Sequence, residues 1–540
     1  MTFSGVHAEE THILPKLASS IQLQGLTSGL LIGAAGNHSA PLESVARSLL
    51  SGEVDCSPFG TYMVVDEARG RAVIQRGSAS NIPIYITDRQ TSEFSVSHSA
   101  RTVRRSGVNA LALKCYLADQ YLPVGGGLYN DGLRLAPGDM WEFDRAKVAY
   151  RPARKAITGS STDEYTDSSL DALYEGVLED VHGHQNVSVL FSGGLDSSAI
   201  AWALAKAGVE THLLYMDFTS TAPLLKSEMA RAVEIARRLN LPFHTIPVHL
   251  GDIEPSEVFG TAVQAPNNFL SAPGVRQAAK VAVELGSTAL CMGSFGDTLW
   301  NGSHQDPFYA ALRATLRGDL PTVLAWLGTQ RNLSQLSRLR GIADGFRIAS
   351  RLVGRSESEV VGSIDRKCTR RVAVPRLGGM YAYSLAERHL RTELDSVHLE
   401  FWQHDLMVGS LELHDPLRHP RIWASIWNLP ADRRQVIIGA TVVGKYEWRR
   451  LLKDYFPTTC HEGDRVGYKQ LADAYLEMFG DEIRSRFRRS TLADRGVVDA
   501  KLLRRYGSSV AGFRSAHPTG ILRLLGADYW LERVDRMRVS

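Results

Sequence analysis

The segment Val187 to Leu204 reads VSVLFSGGLDSSAIAWAL, and it leaves the chain around it few ways to fold. VSVLF is a short, nearly continuous apolar run, the pattern of a strand covered on both faces. SGGLDSS is a turn, and AIAWALAKAG is a helix closed by Gly208. The rhythm then repeats: THLLYMDF reads as a second strand, SEMARAVEIARRLN as a helix with Met229, Val233 and Ala236 on one face, and FHTIPV as a third strand. Strands alternating with helices predict a doubly wound parallel sheet, with ligands at the carboxyl ends of its strands.

The turn itself carries chemistry. Neither Gly193 nor Gly194 has a Cβ, so a ligand can approach the backbone of Ser192-Gly193-Gly194 closely. The N–H groups there and at the start of the following helix favour anionic oxygens, and Ser192, Ser197 and Ser198 add hydroxyl donors. Asp196 is the odd member, because an acid repels a phosphate unless a divalent cation lies between them. The pattern predicts a site for phosphate plus Mg²⁺. The competing use of the same residues is a helix start capped by Ser and Asp.

Outside this region the organisation changes twice. From about residue 20 to 150, short β-like runs such as GTYMVVD, RAVIQR and DMWEFD are broken by Gly, Asn, Asp and Pro, predicting an antiparallel sheet. KAITGSSTDEYTDSS, Lys155 to Ser169, reads as a linker, which sets a domain boundary near residue 160. From about 305 onward helical patterns dominate, and the last stretch is Arg-rich, as in IRSRFRRS and KLLRRYG. A chain of 540 residues is too long for one ordinary core, so two domains are expected, 1–160 and 161–540.

Composition narrows the partners. Net charge is +3, from 61 basic and 58 acidic residues, which implies neither nucleic acid nor an anionic membrane as partner. Cys56, Cys115, Cys291, Cys368 and Cys460 form no CxxC pair, which argues against a disulfide framework and against a zinc cluster. With no signal-peptide pattern and no apolar run of membrane-spanning length, a soluble cytoplasmic protein is expected. GATVVGKY, Gly439 to Tyr446, nearly fits a Walker A loop, but Tyr446 stands where a hydroxyl residue should hold Mg²⁺. Lys445 instead reads as the opening of the helix KYEWRRLLKDYF.

SGGLDSS resembles the pyrophosphate loop of ATP pyrophosphatases, in the form found in asparagine synthetase-like enzymes. The resemblance implies adenylation of a carboxylate, release of pyrophosphate and transfer of the acyl group to an amine. It implies ATP contacts at Leu190, Ser192, Gly193, Gly194, Leu195, Asp196, Ser197, Met216 and Gly293. Further matches follow in the family's order. Ser227-Glu228 resembles the acidic pair opening the helix after the second strand, and TALCMGSFGDTLWNG the loop with a second metal-binding aspartate, here Asp297. GSLELHDP resembles the glutamate-to-proline segment before the late helices. In HEGDRVGYKQ, Arg465 and Lys469 are the candidates for a cation over the acyl-transfer transition state.

The N-terminal part resembles the class II glutamine amidotransferase domain, an Ntn-type α+β sandwich, in GTYMVVD, RGSASNIPIYI and YLPVGGGLYNDGLRLAPGDMWEFD. It departs from that family in having Thr2 where a nucleophilic cysteine should follow Met1. The amine must then come from a source other than glutamine. Ser294 stands where asparagine synthetases carry a glutamate and β-lactam synthetases a tyrosine of their base dyad. A serine alone is a poor base, and Glu400 lies roughly where the other dyad member belongs. In length, in the missing cysteine and in this variable loop position, the chain resembles the lasso peptide cyclases. That group implies ATP and Mg²⁺, a precursor core peptide whose Asp or Glu side chain is joined to its own N-terminal amine, a leader peptidase and a leader-binding protein. Two other readings stay open: a small-molecule amide or β-lactam synthetase, and an inactive synthetase-fold binding protein.

Overall fold

The structure is a computed structural model. It describes residues 18–23, 26–34, 60–66, 71–77, 84–87, 95–97, 107–119, 127–130, 133–135, 137–144, 147–151, 168–218, 226–249, 253–260, 270–300, 406–427, 435–438, 441–456, 467–501 and 518–539, with a few single residues between these spans. The N-terminal part is antiparallel, as the broken β-like text predicts. Its strands are β1 (Ala18–Leu23), β2 (Leu26–Ala34), β3 (Gly60–Asp66), β4 (Arg71–Arg76), β5 (Tyr85–Thr87), β6 (Ser95–Ser97), β7 (Leu133–Arg134), β8 (Met140–Asp144) and β9 (Lys147–Arg151). One sheet has the order β1-β2-β3-β4-β8-β9 and a second the order β6-β5-β7. In β4, Ala72 to Arg76 are all buried, so this strand is covered on both faces. Arg76 sits in that interior, its Nη1 donating to the Leu135 carbonyl at 2.9 Å. The turn after Leu135 closes on β4 as well: Gly138, with φ +83°, donates its N–H to the Arg76 carbonyl at 2.8 Å. Helix α1 (Ala110–Asp119) lies between β6 and β7, its first N–H groups received by the Asn109 side chain.

The five-stranded sheet that follows is parallel throughout. Helix α2 (Ser169–Asp180) precedes it, capped by the Ser168 hydroxyl, which accepts from the Asp171 N–H at 3.2 Å. The Ser-rich text read as linker up to Ser169 therefore ends in a helix cap, the other common use of serine. Strands β10 (Asn186–Leu190), β11 (Glu210–Asp217), β12 (Phe243–Pro247), β13 (Ala289–Cys291) and β14 (Glu412–His414) lie in the order β12-β11-β10-β13-β14. Helices α3 (Leu195–Ala207) and α4 (Lys226–Leu239) pack with α2 on one face, against Val187, Val189, Leu213, Tyr215, Ala289 and Cys291. Helix α5 (Ala272–Glu284) covers the other face, where Leu214, Ile246 and Leu290 meet Ala278, Ala279 and Ala282. The expected double winding is present. Gly208 ends α3 with φ +71°, its N–H directed to the Leu204 and Ala205 carbonyls.

One predicted face shifts. In α4 the buried residues are Ala232, Ile235 and Ala236, and Val233 is 44% exposed. At 100° per residue the buried arc runs through Ala232, Ala236 and Leu239, and Val233 lies about 100° from its centre. The later chain is also not purely helical. After α6 (Gly296–Leu299) and α7 (Pro420–Trp427), β15 (Gln435–Ile438) and β16 (Thr441–Gly444) form a hairpin that leads into α8 (Tyr446–Leu451). The β-branched text of QVII and TVVG supports strands there.

The last layer is α9 (Gly467–Met478), α10 (Gly480–Arg488) and α11 (Pro518–Val539). Its core is continuous with the N-terminal part: Leu113, Tyr116 and Leu117 of α1 belong to one buried cluster with Ile521, Leu524 and Trp530 of α11. Arg523, 1% exposed, donates from Nη1 to the Leu117 carbonyl at 2.9 Å. Among the described arginines of this layer, Arg486 pairs with Glu482, Glu532 and Asp528, Arg495 with Asp535, and Arg536 with Glu532. Those charges serve the helical layer itself. No described helix is long and apolar enough to cross a membrane.

Candidate active site

The glycine turn leaves the carboxyl end of β10, the central strand of the parallel sheet. Gly193 has φ +69°, and a Cβ there would lie 2.8 Å from the Ala232 Cα, so the turn rests on the backbone of α4. The N-cap of α3 is Gly194, and no side chain caps the helix. Ser and Asp are therefore not used as caps here, and the N–H groups of the first turn face the loop. Hydroxyls shape the loop instead: the Gly194 N–H donates to Ser192 Oγ at 3.2 Å, and Ser197 Oγ donates to the Gly194 carbonyl at 3.3 Å.

Asp196, in the first turn of α3, is held from three sides. A Cβ on Gly293 would come to 3.1 Å from the Asp196 Cβ, and one on Gly296 would overlap its carboxyl group. Only glycines allow the loop after β13 to approach this closely. Asp297, the second predicted metal-binding acid, follows Gly296 directly in the backbone of α6. From the third side, Lys445 Nζ forms an ion pair with Asp196 Oδ2, and the two side chains are only 12% and 14% exposed. Lys445 is the N-cap of α8 with φ +55°, and Trp448, one turn on, packs edge-on against Trp300 with ring centroids 5.2 Å apart. Lys445 does open the helix. It also delivers its charge to the glycine turn. GATVVGKY is no Walker A, because a strand runs through Gly444 and only Lys445 separates it from the helix.

Ser294 has a partner that its sequence context did not reveal. Its hydroxyl donates to Asp415 Oδ2 at 2.5 Å. Asp415 immediately follows β14 and is 2% exposed, with Oδ1 lacking a hydrogen-bond partner. Burial pushes its carboxyl up to about 7, against the opposing effects of the Ser294 hydroxyl and the Arg418 guanidinium. A carboxyl balanced near neutrality and tied to a hydroxyl is suited to accepting a proton.

The structure thus gathers Leu190, Ser192, Gly193, Gly194, Leu195, Asp196, Ser197, Gly293 and Ser294 at the carboxyl ends of β10 and β13. Met216 is near the end of neighbouring β11, where its sulfur would lie 2.9 Å from a Cβ on Gly274 of α5. Lys469 falls in the first turn of α9. Glu400, Arg465 and Thr2 lie outside the described residues. Lys445 and Asp415 are the functional candidates that sequence reasoning missed. The available signals were a lysine closing the strand TVVG and an acid ending the strand ELH.

These residues fit ATP and Mg²⁺. The turn offers donors and room for phosphate, and the half-buried Asp196 carboxylate, paired with Lys445, stands in the first turn of the helix that follows it. Comparison with known proteins agrees with this geometry. The family model described as asparagine synthase matches residues 169–532. No curated protein matches the chain.

Proposed function

This chain belongs to the asparagine synthase family, whose members are ATP-dependent amide-forming ligases, and from that premise we propose that it closes a macrolactam ring in a ribosomally made lasso peptide. A carboxylate oxygen of an Asp or Glu side chain in the core peptide attacks the α-phosphorus of ATP, and the bond to the β-phosphate breaks. Pyrophosphate leaves through the donors of Ser192 to Ser197. The peptide's N-terminal amine then attacks the acyl carbon, loses a proton, and AMP departs. Asp196 and Asp297 would hold Mg²⁺, which supplies charge neutralisation on the phosphates. Lys445 adds a fixed positive charge beside Asp196. Asp415, with Ser294, is the group we assign to receive the amine proton.

The single observation that carries the adenylation step is the uncapped, glycine-lined turn with Lys445 paired to Asp196. Preference for a peptide rests on Ser294, which stands where asparagine synthetases carry a glutamate and β-lactam synthetases a tyrosine. The deciding experiment incubates a leader-free core peptide with enzyme, ATP and Mg²⁺ and follows intact mass and pyrophosphate together. Loss of one water per pyrophosphate, in a product that protease digestion shows to be cyclic, is the expected result. Pyrophosphate release without any dehydrated peptide would overturn the peptide assignment while leaving adenylation intact. The Ser294–Asp415 pair also favours a second reading, a small-molecule amide or β-lactam synthetase, because such enzymes place a base dyad at this loop. That reading requires turnover with a free amino-acid derivative.

A further inference from the structure

Between β14 and the turn that leads into β10, three ligand-bearing side chains converge. His184 lies in the turn between α2 and β10, and Glu412 and His414 lie on β14. One ligand atom of each is within 4.8 Å of the other two. Glu412 Oε2 is 3.7 Å from His184 Nε2 and 3.8 Å from His414 Nε2. These spacings exceed hydrogen-bond lengths and approach the separation of about 3.4 Å between ligands of a tetrahedral ion bound at ~2.1 Å.

Both rings are held from behind. His184 Nδ1 lies 2.8 Å from Thr288 Oγ1, and His414 Nδ1 lies 3.2 Å from Asp180 Oδ2. Each histidine therefore presents Nε2 to the same carboxylate, with an oxygen fixing its other nitrogen, the outer arrangement that metal-ligating histidines use. A second observation points the same way. His414 is 1% exposed, and its Nε2 has no hydrogen-bond partner, which leaves a buried polar atom aimed into the cluster.

We propose that His184, Glu412 and His414 form a zinc-binding site, oriented by Thr288 and Asp180, with a fourth position open to water. Two imidazoles and one carboxylate suit Zn²⁺, whereas Mg²⁺ prefers oxygen ligands alone. The outward side is the one where Glu412 is 30% and His184 14% exposed. Counting cysteines could not reveal this site, because it uses none.

His184 and the glycine turn lie at opposite ends of β10, whose five residues span about 15 Å. Glu412 and His414 are alternate residues of one strand and share a face. The ion would therefore tie β14 to the turn before β10, and the next residue of β14's chain is Asp415. The site is a positioning device for that carboxyl group. It stands whichever amide the enzyme makes.

The test uses the full-length chain stripped by chelator and returned to excess Mg²⁺, so that oxygen-ligand sites are filled. Zn²⁺ is titrated against a chromophoric competitor. Wild type should take up one tight equivalent more than His184→Ala and Glu412→Gln, and Thr288→Val should keep that equivalent with affinity about 10- to 100-fold weaker. Co²⁺ in place of Zn²⁺ should give the visible absorption of a tetrahedral centre in wild type and not in His184→Ala. Zn²⁺ should raise the melting temperature of wild type and not of His184→Ala or Glu412→Gln. Equal zinc stoichiometry and affinity in wild type and both ligand variants, or no tight equivalent in wild type, would overturn the proposal.

Discussion

A methyl group at position 193 has nowhere to go, since Gly193 combines φ +69° with the Ala232 Cα 2.8 Å from the missing Cβ. Gly193→Ala should cost about 1 to 3 kcal/mol, read as a lowered urea midpoint, and should suppress substrate-dependent exchange of pyrophosphate into ATP. Lys445→Met should reduce the same exchange by about 100-fold. An exchange rate within a few-fold of wild type would mean that the lysine only balances charge. Asp415→Asn separates the two half-reactions: exchange should persist, whereas amide formation should slow by about 100- to 10,000-fold. These residues differ in how far they could be read. Ser192 to Ser197 announce themselves because their chemistry is compressed into one turn. Lys445 and Asp415 act on residues 249 and 121 positions away, and no local pattern marks a partner at that distance.

At the scale of elements, α3 shows what local text can carry. It is buried along most of its length, it ends at a left-handed Gly208, and AIAWALAKAG displays both facts. Gly208→Ala should destabilise by about 1 kcal/mol in thermal or urea unfolding without changing nucleotide affinity. The tie between α2 and α7 was not legible, because it depends on two helices separated by most of the synthetase core. Glu179 Oε2 lies 3.0 Å from His419 Nε2, and its other oxygen accepts from Arg421 at 2.8 Å. The His419 hydrogen bond, with the Arg421 charge, holds the Glu179 carboxyl below its ordinary 4.5. A depressed carboxyl contributes stability that is fully present above the unfolded value and is lost as pH falls through the folded one. Glu179→Gln should therefore cost up to about 1 kcal/mol at neutral pH, a modest figure because the carboxylate is partly solvated. The difference from wild type should vanish in melts run well below pH 4.5. A deficit that stayed constant into acid would assign the effect to packing.

For the whole molecule, the sequence suggests two units joined near residue 160, and the antiparallel and parallel sheets match that change of rhythm. The shared core between them was hidden, since neither α1 nor α11 shows in its own text which partner covers it until Leu113, Tyr116 and Leu117 meet Ile521, Leu524 and Trp530. Each large side chain in such a core contributes about 1.5 to 3 kcal/mol. A fragment of residues 161–540 should consequently be poorly soluble alone and be rescued by co-expression with residues 1–160. A fragment that was monomeric and folded by near-UV circular dichroism would contradict this. The Lys445–Asp196 pair has a further consequence in time. The lysine is made 249 residues after the aspartate, which at ribosomal speed is a wait of roughly 12 to 50 s. By the end of that interval the nascent chain holds the loop, all five parallel strands and an acid still without its lysine. The Lys445–Asp196 pair is thus completed late in translation, after most of the chain has been made.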